Sequence, residues 1–442
     1  MPMTVSIVLF TRDLRVRDNP ALTAGCRADA VVPLFVLDEA ILSGRAATPN
    51  RAAFLAAALS ELDAELREMG GKLVVRRGKV ADQVAAVAEE VGAEVVHIAA
   101  DVSAYSRRRE RELRDRLADA DRELRAHASS VMTVEPDAVT PSSGRDHFAV
   151  FTPYHRRWTE MHRRNPLPRP PALRMARIAA GDLPKPEEIC AGDRSPRLSV
   201  GGEKTGRELL RRWTAGPSER YAALSDDLPA DATSHLSPYL HFGCLSAAEV
   251  LHRTDTDDEG GAAFARQLAW RDFNHQLLAA RPEAAWRDYH DRGIRWRDDP
   301  ASVRAWRDGR TGYPIIDAGM RQLREQGWMP GRARLIAASF LAKSLRVDWR
   351  VGADHFLRWL VDADIANNQL NWQWAAGTGT DTRPNRTLNP LRQADRFDPD
   401  GEYVRRWVPE VAELAGGAAH RPWRVSGGVA GYPGPIIDFA GM

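Results

Sequence analysis

The stretch Val5-Ser-Ile-Val-Leu-Phe10 is the first of several short apolar runs in the amino-terminal third of the chain. Segments with helical spacing of their apolar residues separate these runs. The predicted strands cover residues 5–10, 30–37, 72–75 and 94–99, and the predicted helices cover 52–69 and 81–91. Strands that are apolar throughout and alternate with helices predict a parallel α/β sheet covered on both faces.

The residues that follow the first run, 11–20, contain no G-x-G-x-x-G turn. The dinucleotide fingerprint of a Rossmann-like sheet is therefore missing, although the sheet itself is predicted. Any ligand of this part of the chain must be held in another way.

A different pattern begins in the middle of the chain. Periodicity fades between about residues 140 and 202, where Asn165-Pro-Leu-Pro-Arg-Pro-Pro171 indicates a proline-stiffened connection. Beyond it, helical spacing returns at 207–213, 262–280, 312–326, 332–345 and 353–360. We predict an α/β domain over 1–135, an interdomain linker over 136–205 and an all-α domain over 206–442. Twelve of the thirteen tryptophans follow residue 200, so the helical domain carries the aromatic chemistry.

Composition leaves room for two or three domains in 442 residues, with a net charge of only +2. Lysine is rare, with five among 62 basic residues, and the arginines that dominate suit phosphate contacts and stacking. A GC-rich genome explains the average arginine content equally well. The functional interpretation is therefore kept for individual arginines.

Three widely separated cysteines, Cys26, Cys190 and Cys244, predict neither a disulfide framework nor a zinc site, which suits a reducing cytoplasm. No run reaches the roughly 18 apolar residues of a membrane span. The first apolar stretch is also short for a signal peptide and has no basic region before it. We expect a cytoplasmic protein without a membrane segment.

The stretch Asp362-Ala-Asp-Ile-Ala-Asn-Asn-Gln-Leu-Asn-Trp-Gln-Trp374 mixes acids, amides and indoles. Buried polar groups of this kind need partners, which a polar heteroaromatic ligand could supply between indole walls. Core packing is the alternative for each indole taken singly. The Asp-x-Asp pattern lacks the glycine-turned loop of a calcium site, so no metal is expected.

Two further segments carry polar groups at helical positions. Thr233-Ser-His-Leu-Ser-Pro-Tyr-Leu-His-Phe-Gly243 sets hydroxyls ahead of a predicted helix start, where they either bind a pyrophosphate or simply cap the helix. The segment 267–274 places Gln267, Trp270, Arg271 and Asn274 close to one face of an amphipathic helix.

These segments, together with 311–323 and in this order, resemble the photolyase/cryptochrome family, and more specifically the class I bacterial deoxyribodipyrimidine (CPD) photolyases. The resemblance runs from Phe10-Thr-Arg-Asp-Leu-Arg15 to Gly431-Tyr-Pro-Gly-Pro435. It implies an antenna chromophore in the α/β domain, FAD in the helical domain, and light-driven carbon–carbon lyase repair of cyclobutane pyrimidine dimers in UV-damaged DNA by a monomer. The alternative is a cryptochrome-like, blue-light-sensing flavoprotein with weak or no repair activity.

The resemblance assigns twelve residues to the FAD site: Tyr221, Thr233, Ser234, His235, Leu236, Ser237, Arg271, Arg334, Asp362, Ala363, Asp364 and Asn368. Within this set Arg334 pairs with Asp362, and Asn368 faces flavin N5. A neutral amide suits a reduced, anionic flavin, which a carboxylate would repel. Plant-type cryptochromes have an acid there, so Asn368 favours a photolyase.

The resemblance also assigns an electron chain and a lesion pocket. Trp372, Trp349 and Trp296 match the three tryptophans that carry electrons from the surface to the flavin. A lesion must be flipped out of the duplex to reach the flavin. The residues matched to DNA or lesion contacts are Gln267, Trp270, Asn274, Gly331, Arg332, Leu335 and Trp374.

The lesion pocket is also where the chain departs from the family. Pro330 and Gly331 stand where a His and an Asn are usual, Leu335 replaces a Met, and Gln267 replaces a Glu. Two interpretations stay open, a working dimer photolyase with an altered pocket and a photolyase-like protein with weakened repair or a sensory role.

The antenna site is matched by Phe35, Arg51, Leu55 and Asp101. These residues look more like an 8-hydroxy-5-deazaflavin site than a methenyltetrahydrofolate site, and an empty site is the third alternative.

Overall fold

The computed structural model describes residues 3–380 and 382–439. Two compact units can be distinguished in that part of the chain. The first comprises residues 3–194, 200–218 and 234–282, and the second comprises 195–199, 219–233 and 283–439. The domain bounds 1–135, 136–205 and 206–442 stay a prediction.

A five-stranded parallel sheet forms the centre of the first unit, in the order β3-β2-β1-β4-β5. The strands are β1 Val5–Phe10, β2 Ala30–Asp38, β3 Val74–Gly78, β4 Val95–Ala99 and β5 Glu123–His127. In the register, Phe10 at the end of β1 pairs with Phe35 of β2. The predicted fold class, a parallel α/β sheet followed by a helical part, is confirmed.

Eleven helices of the described chain belong to the first unit. They are α1 Pro20–Gly25, α2 Glu39–Leu42, α3 Pro49–Glu68, α4 Val80–Val91, α5 Ala104–Ala118, α6 Phe151–Glu160, α7 Pro186–Ile189, α8 Glu203–Thr214, α10 Ser237–Phe242, α11 Ala247–Arg253 and α12 Glu259–Ala280.

The two faces of the sheet are covered by different helices, which explains why β1 is buried at every position. Ile7 and Leu9 point into an apolar cluster that includes Val84 of α4. On the other face, the Ser6 hydroxyl donates to the carbonyl of Gly25 in α1 at 2.9 Å. A Cβ at Gly25 would lie 2.4 Å from a methyl of Val8, so only glycine lets α1 come this close.

The segment predicted as a linker contains regular structure. Its ten-residue helix α6 buries Phe151, Tyr154 and Trp158. Further along, residues 174–180 run beside the sheet, where the amide of Val31 donates to the carbonyl of Arg174 and that of Val75 to the carbonyl of Ala180.

The second unit is helical in its described residues. Its helices are α9 Tyr221–Leu224, α13 Pro300–Arg307, α14 Pro314–Gln326, α15 Gly331–Ser339, α16 Trp349–Trp359, α17 Ile365–Ala376, α18 Pro390–Phe397 and α19 Glu402–Trp407. One apolar core joins them, with Trp306, Phe340, Trp349 and Tyr403 almost fully buried at its centre.

The predicted single helix over 332–345 is wrong at its carboxyl end. Helix α15 ends at Ser339, and a π-helical turn, Phe340–Ser344, follows it. The amide of Leu345 closes this turn by donating to the carbonyl of Phe340 at 2.9 Å. Arg346 then takes a left-handed conformation with φ 57°, which ends the helical run.

No helix in residues 3–380 and 382–439 has the length and apolarity needed to cross a membrane. The same residues contain no group of three or more His, Cys, Asp or Glu side chains arranged to hold a metal ion.

Candidate functional site

Helix α17 begins at a side-chain cap. Asp364 precedes it in an extended conformation, and its carboxylate accepts from the amide of Asn367 at 2.7 Å. The side-chain amide of Asn367 donates to the same carboxylate at 3.1 Å. Asp364 thus satisfies one of the free N–H groups at the helix start and fixes where α17 begins.

A buried ion pair joins α15 to the loop before α17. The Arg334 guanidinium donates to both carboxylate oxygens of Asp362, at 3.1 and 2.8 Å, and its Nε donates to the carbonyl of Met329 at 2.8 Å. The Asp362 side chain is only 2% exposed. The predicted pairing of Arg334 with Asp362 is confirmed, and its two-pronged geometry fixes the loop that holds Ala363 and Asp364.

The amides of α17 find more partners in the protein than their density in the sequence suggests. Gln369 donates to the carbonyl of Ala285 at 2.9 Å, and Gln373 donates to that of Ala284 at 2.6 Å. Backbone carbonyls of the protein therefore supply partners for Gln369 and Gln373. Asn368 differs, because its NH₂ donates to Ala353 and Gln369 while its carbonyl oxygen accepts nothing from the described residues.

The three predicted electron carriers lie in or against one apolar core. Trp372 is 2% exposed, and its indole N–H has no hydrogen-bond partner among the described residues. Trp349 is also buried, and its indole N–H donates to Asp288 at 2.8 Å. Trp296 is half-buried. The indoles therefore range from enclosed to partly open.

Gly352 fixes the position of the Trp372 ring. A Cβ at Gly352 would lie 2.1 Å from the indole, so α16 and α17 can approach only because residue 352 is glycine. Phe356 packs edge-on against the same indole with ring centroids 4.9 Å apart.

The residues predicted to bind phosphate are divided between the two units, and those of the first unit lie directly before α10 and at its first residue. In the first unit, Ser234 and His235 precede Leu236 and the helix start Ser237, and His235 takes a left-handed conformation with φ 52°. In the second unit, the buried hydroxyl of Thr233 has no partner among the described residues. Burial and the nearby Asp226 raise the pKa of Tyr221 to about 12.

The predicted contacts on α12 differ in their surroundings. Gln267 is exposed, Trp270 is half-buried and Asn274 is 5% exposed. The Arg271 guanidinium donates to the carbonyls of Val131 at 2.7 Å and Leu240 at 3.5 Å. Helix α12 buries these side chains to different extents. The prediction that they lie close to one face of the helix does not describe this difference.

The second unit contains the altered part of the predicted lesion pocket. Pro330 caps α15 in an extended conformation and Gly331 is its first residue, with no atom within 4 Å of where a Cβ would lie. Arg332 pairs with Asp226, and its guanidinium lies 4.3 Å from the ring centroid of Phe397. Leu335 and Trp374 are half-buried.

The residues predicted for the antenna lie in the first unit. Two of them, Asp101 and Arg51, make hydrogen bonds within the protein. Asp101 accepts from the Ser106 hydroxyl at 3.0 Å and pairs with Arg12 at 3.4 Å. Burial alone would raise the pKa of Asp101, but Arg12 and other nearby cations lower it to about 2. Arg51 donates to the carbonyl of Ala46 at 2.8 Å. Phe35 is 8% exposed and Leu55 is half-buried.

The sequence analysis did not single out Phe151 at the start of α6. Its ring lies parallel to the Trp270 indole, with centroids 3.7 Å apart and planes 3° apart. The aromatic spacing of Phe151, Tyr154 and Trp158 is a helical signal that the surrounding prolines obscured.

Comparison with known proteins agrees with this architecture. Two family models match the chain, "DNA photolyase" over residues 6–172 and "FAD binding domain of DNA photolyase" over residues 264–442. A deoxyribodipyrimidine photo-lyase of Streptomyces griseus is 55% identical over 99% of this chain and 97% of its own length. One from Halobacterium salinarum is 37% identical over 97% and 95%. The crystal structure of a bacterial class III photolyase from Agrobacterium tumefaciens has a TM-score of 0.93 at 32% identity, covering 100% of this chain and 96% of that one.

A parallel α/β unit and a helical unit that includes most of an FAD-binding domain define a flavin-binding class of protein. Within that class, the identity and coverage of its relatives show that the chain belongs to the photolyase family.

Proposed function

We propose that the protein repairs cyclobutane pyrimidine dimers in DNA under near-UV or blue light. The observation that carries the proposal is helix α17. It places a buried amide with a free carbonyl oxygen, Asn368, a buried indole without a hydrogen-bond partner among the described residues, Trp372, and a half-buried indole, Trp374, within two turns.

Residues of the second unit fit a polar cofactor such as FAD. Within the part of the second unit that the structure describes, the Thr233 hydroxyl has no partner and the carbonyl oxygen of Asn368 accepts no hydrogen bond, so both are available to a ligand. Arg334 neutralises the buried charge of Asp362, so one acid does not oppose an anionic flavin. In the first unit, His235 takes a left-handed backbone conformation directly before Leu236 and the start of α10 at Ser237.

We assign the second unit's contacts to Tyr221, Thr233, Arg334, Asp362, Ala363, Asp364 and Asn368, and the first unit's to Ser234, His235, Leu236, Ser237 and Arg271. When bound and reduced, FAD supplies the photoexcited electron that splits the dimer. Trp296, Trp349 and Trp372 carry electrons inward from the surface, since their burial grades from half-buried to enclosed.

Recognition of the lesion is assigned to separate sets of side chains in the two units. Gln267, Trp270 and Asn274 belong to the first unit, and Gly331, Arg332, Leu335 and Trp374 belong to the second. The half-buried indoles offer flat apolar faces to a flipped base. Arg332 is already paired with Asp226, so a DNA phosphate must compete with that carboxylate.

The antenna proposal is 8-hydroxy-5-deazaflavin held near Phe35, Arg51, Leu55 and Asp101 in a cytoplasmic, monomeric protein. The pairing of Phe10, at the carboxyl end of β1, with Phe35 of β2 supports a site at this edge of the sheet. This antenna proposal is tested by the absorbance spectrum of the protein after purification from a host that makes the deazaflavin. A spectrum with flavin bands alone contradicts it.

A repair assay tests the function. The flavin is reduced chemically and the protein is illuminated with an oligonucleotide that contains one thymine dimer. Loss of the dimer in blue light but not in darkness supports repair. An unchanged dimer, with flavin photoreduction intact, contradicts it and favours the sensory alternative.

A further inference from the structure

Phe151 and Trp270 form an unusually close parallel stack in the first unit. Phe151 is 6% exposed, and its ring lies 3.7 Å from the indole, with the planes 3° apart. Aromatic rings left to themselves prefer offset or edge-to-face contacts over such a sandwich. Other contacts must therefore hold the two rings in place.

Those contacts come from α12 itself. Phe273 packs edge-on against both rings, with centroids 5.7 Å from Phe151 and 5.5 Å from Trp270. The Arg266 guanidinium, one helical turn before Trp270, lies 4.7 Å from the centroid of Phe151. The phenyl ring thus lies against two side chains of α12 that are four residues apart.

Two polar contacts hold the α6 segment on α12. The indole N–H of Trp158 donates to the fully buried carboxylate of Asp272 at 3.1 Å. Ahead of α6, the backbone of Phe148 exchanges two hydrogen bonds with the side chain of Gln276, at 3.1 and 2.8 Å. Contacts on both sides of Phe151 therefore keep its ring from moving away from Trp270.

We propose that Phe151 is a positioning residue for lesion recognition, a role that rests on the proposed function. It covers one face of the Trp270 indole and fixes its plane, which leaves the other face to stack on a flipped pyrimidine. A preset indole loses less side-chain freedom on binding than a mobile one, so Phe151 raises the preference for damaged over undamaged DNA.

Dark binding measurements with four variants test this role. Phe151→Leu keeps the apolar volume but removes the flat ring, and we expect it to lower the preference for a dimer-containing oligonucleotide about three- to tenfold. Phe151→Tyr keeps a flat ring and should therefore keep the wild-type preference. In a double-mutant cycle, Phe151→Leu should cost little once Trp270→Ala is present, because Phe151 acts through Trp270.

Flavin content and the rate of flavin photoreduction should stay at wild-type values in Phe151→Leu. Phe54→Leu is the matched control, since Phe54 is a buried aromatic of the same unit that stacks on Phe242 instead. Phe151→Met serves if the leucine variant does not fold.

The outcomes separate the inference from the function on which it rests. Unchanged preference in Phe151→Leu or Phe151→Met, or additive losses in the cycle, overturns the role of Phe151 alone. A wild-type protein that binds damaged and undamaged DNA equally overturns the proposed function.

Discussion

Among single residues, Trp372 has the surroundings expected of an electron carrier. Its ring is enclosed by Phe356 and by Gly352 behind it, and its N–H makes no hydrogen bond with the described residues. A tryptophan placed only for stability gains by pairing that N–H when it is buried. The buried Trp407 also has an indole N–H without a partner among the described residues, so the close packing against Phe356 and Gly352 is what distinguishes Trp372.

Replacing Trp372 with Phe should slow photoreduction of oxidised flavin strongly and leave the fold intact. The variant loses ring volume but no hydrogen bond to described residues, so we expect a stability cost of about 1–2 kcal/mol. Transient absorption of the flavin measures the rate. Trp407→Phe is the control, since Trp407 is buried in the same core and its N–H also lacks a partner in residues 3–380 and 382–439. Equal rates in both variants would exclude Trp372 from the route.

A substitution at Gly331 can return the altered pocket toward the family's usual pattern. Nothing lies within 4 Å of a Cβ there, so Gly331→Asn should be accommodated without strain. An added side-chain hydrogen bond of about 1 kcal/mol corresponds to roughly fivefold tighter binding of dimer-containing DNA. Gly331→Ala adds the Cβ without the amide and should leave affinity unchanged. No gain for the asparagine would mean that the pocket already compensates elsewhere.

The sequence predicted the pairing of Arg334 with Asp362 but not the partners of Gln369 and Gln373. The first pair belongs to a recognisable motif, whereas the amides bind the carbonyls of Ala285 and Ala284, more than 80 residues away in the chain. Composition indicates that such groups need partners. It does not indicate which distant backbone supplies them.

Among the elements, α15 and α17 are connected through the Arg334–Asp362 pair. Arg334→Ala leaves the Asp362 carboxylate, 2% exposed, without its counter-charge, so we expect a loss of roughly 3 kcal/mol in the free energy of unfolding. Arg421→Ala is the control in the same unit, because its partner Asp395 is 52% exposed. That change should cost at most about 1 kcal/mol. Urea unfolding compares them, and equal costs would contradict the buried pair's role.

The loop between β5 and α6 contains an acid that makes stability depend on pH. Burial and, to a smaller extent, nearby carboxylates raise the pKa of Glu135 to about 6 from its ordinary 4.5, although the hydrogen bond from the Ser129 amide opposes this rise. The folded state thus holds the proton more tightly than the unfolded state. Its contribution to stability is full below pH 4.5 and is lost as the pH rises through about 6.

Glu135→Gln should therefore flatten the dependence of stability on pH between 4.5 and 6 and stabilise the protein at neutral pH. The amide oxygen still accepts from the backbone of Ser129, which donates to Glu135 at 2.6 Å. Thermal unfolding at pH 5 and pH 7 measures the effect. Asp182→Asn changes an exposed acid elsewhere in the same unit and serves as the control. The same pH dependence in wild type and Glu135→Gln would contradict this account.

Elements with a strong apolar pattern were predicted well, and elements without one were missed. Strand β1 has the predicted bounds because all six of its residues are buried. Strand β5 lies at the sheet edge with three exposed positions, so its sequence shows no apolar run. Helix α6 follows the same logic, because its three buried aromatics lie in a stretch that prolines and arginines dominate.

For the whole molecule, sequence pattern predicted the parallel α/β and helical character correctly, and the candidate flavin residues are a prediction from family motifs. The sequence did not indicate how deeply each side chain is buried. The residues of α12 appear equivalent on a helical face but range from exposed Gln267 to buried Asn274. Burial depends on segments far away in the chain, such as α6, and no local pattern specifies it.

The protein's proposed activity is light-driven repair by a reduced flavin that the tryptophan route can regenerate. The most direct test follows dimer loss under blue light in wild type and Trp372→Phe, each starting from oxidised and from chemically reduced flavin. We predict that both proteins repair when they start reduced, and that from oxidised flavin only the wild type repairs, after a lag. Absence of dimer loss in the reduced, illuminated wild type would contradict the account.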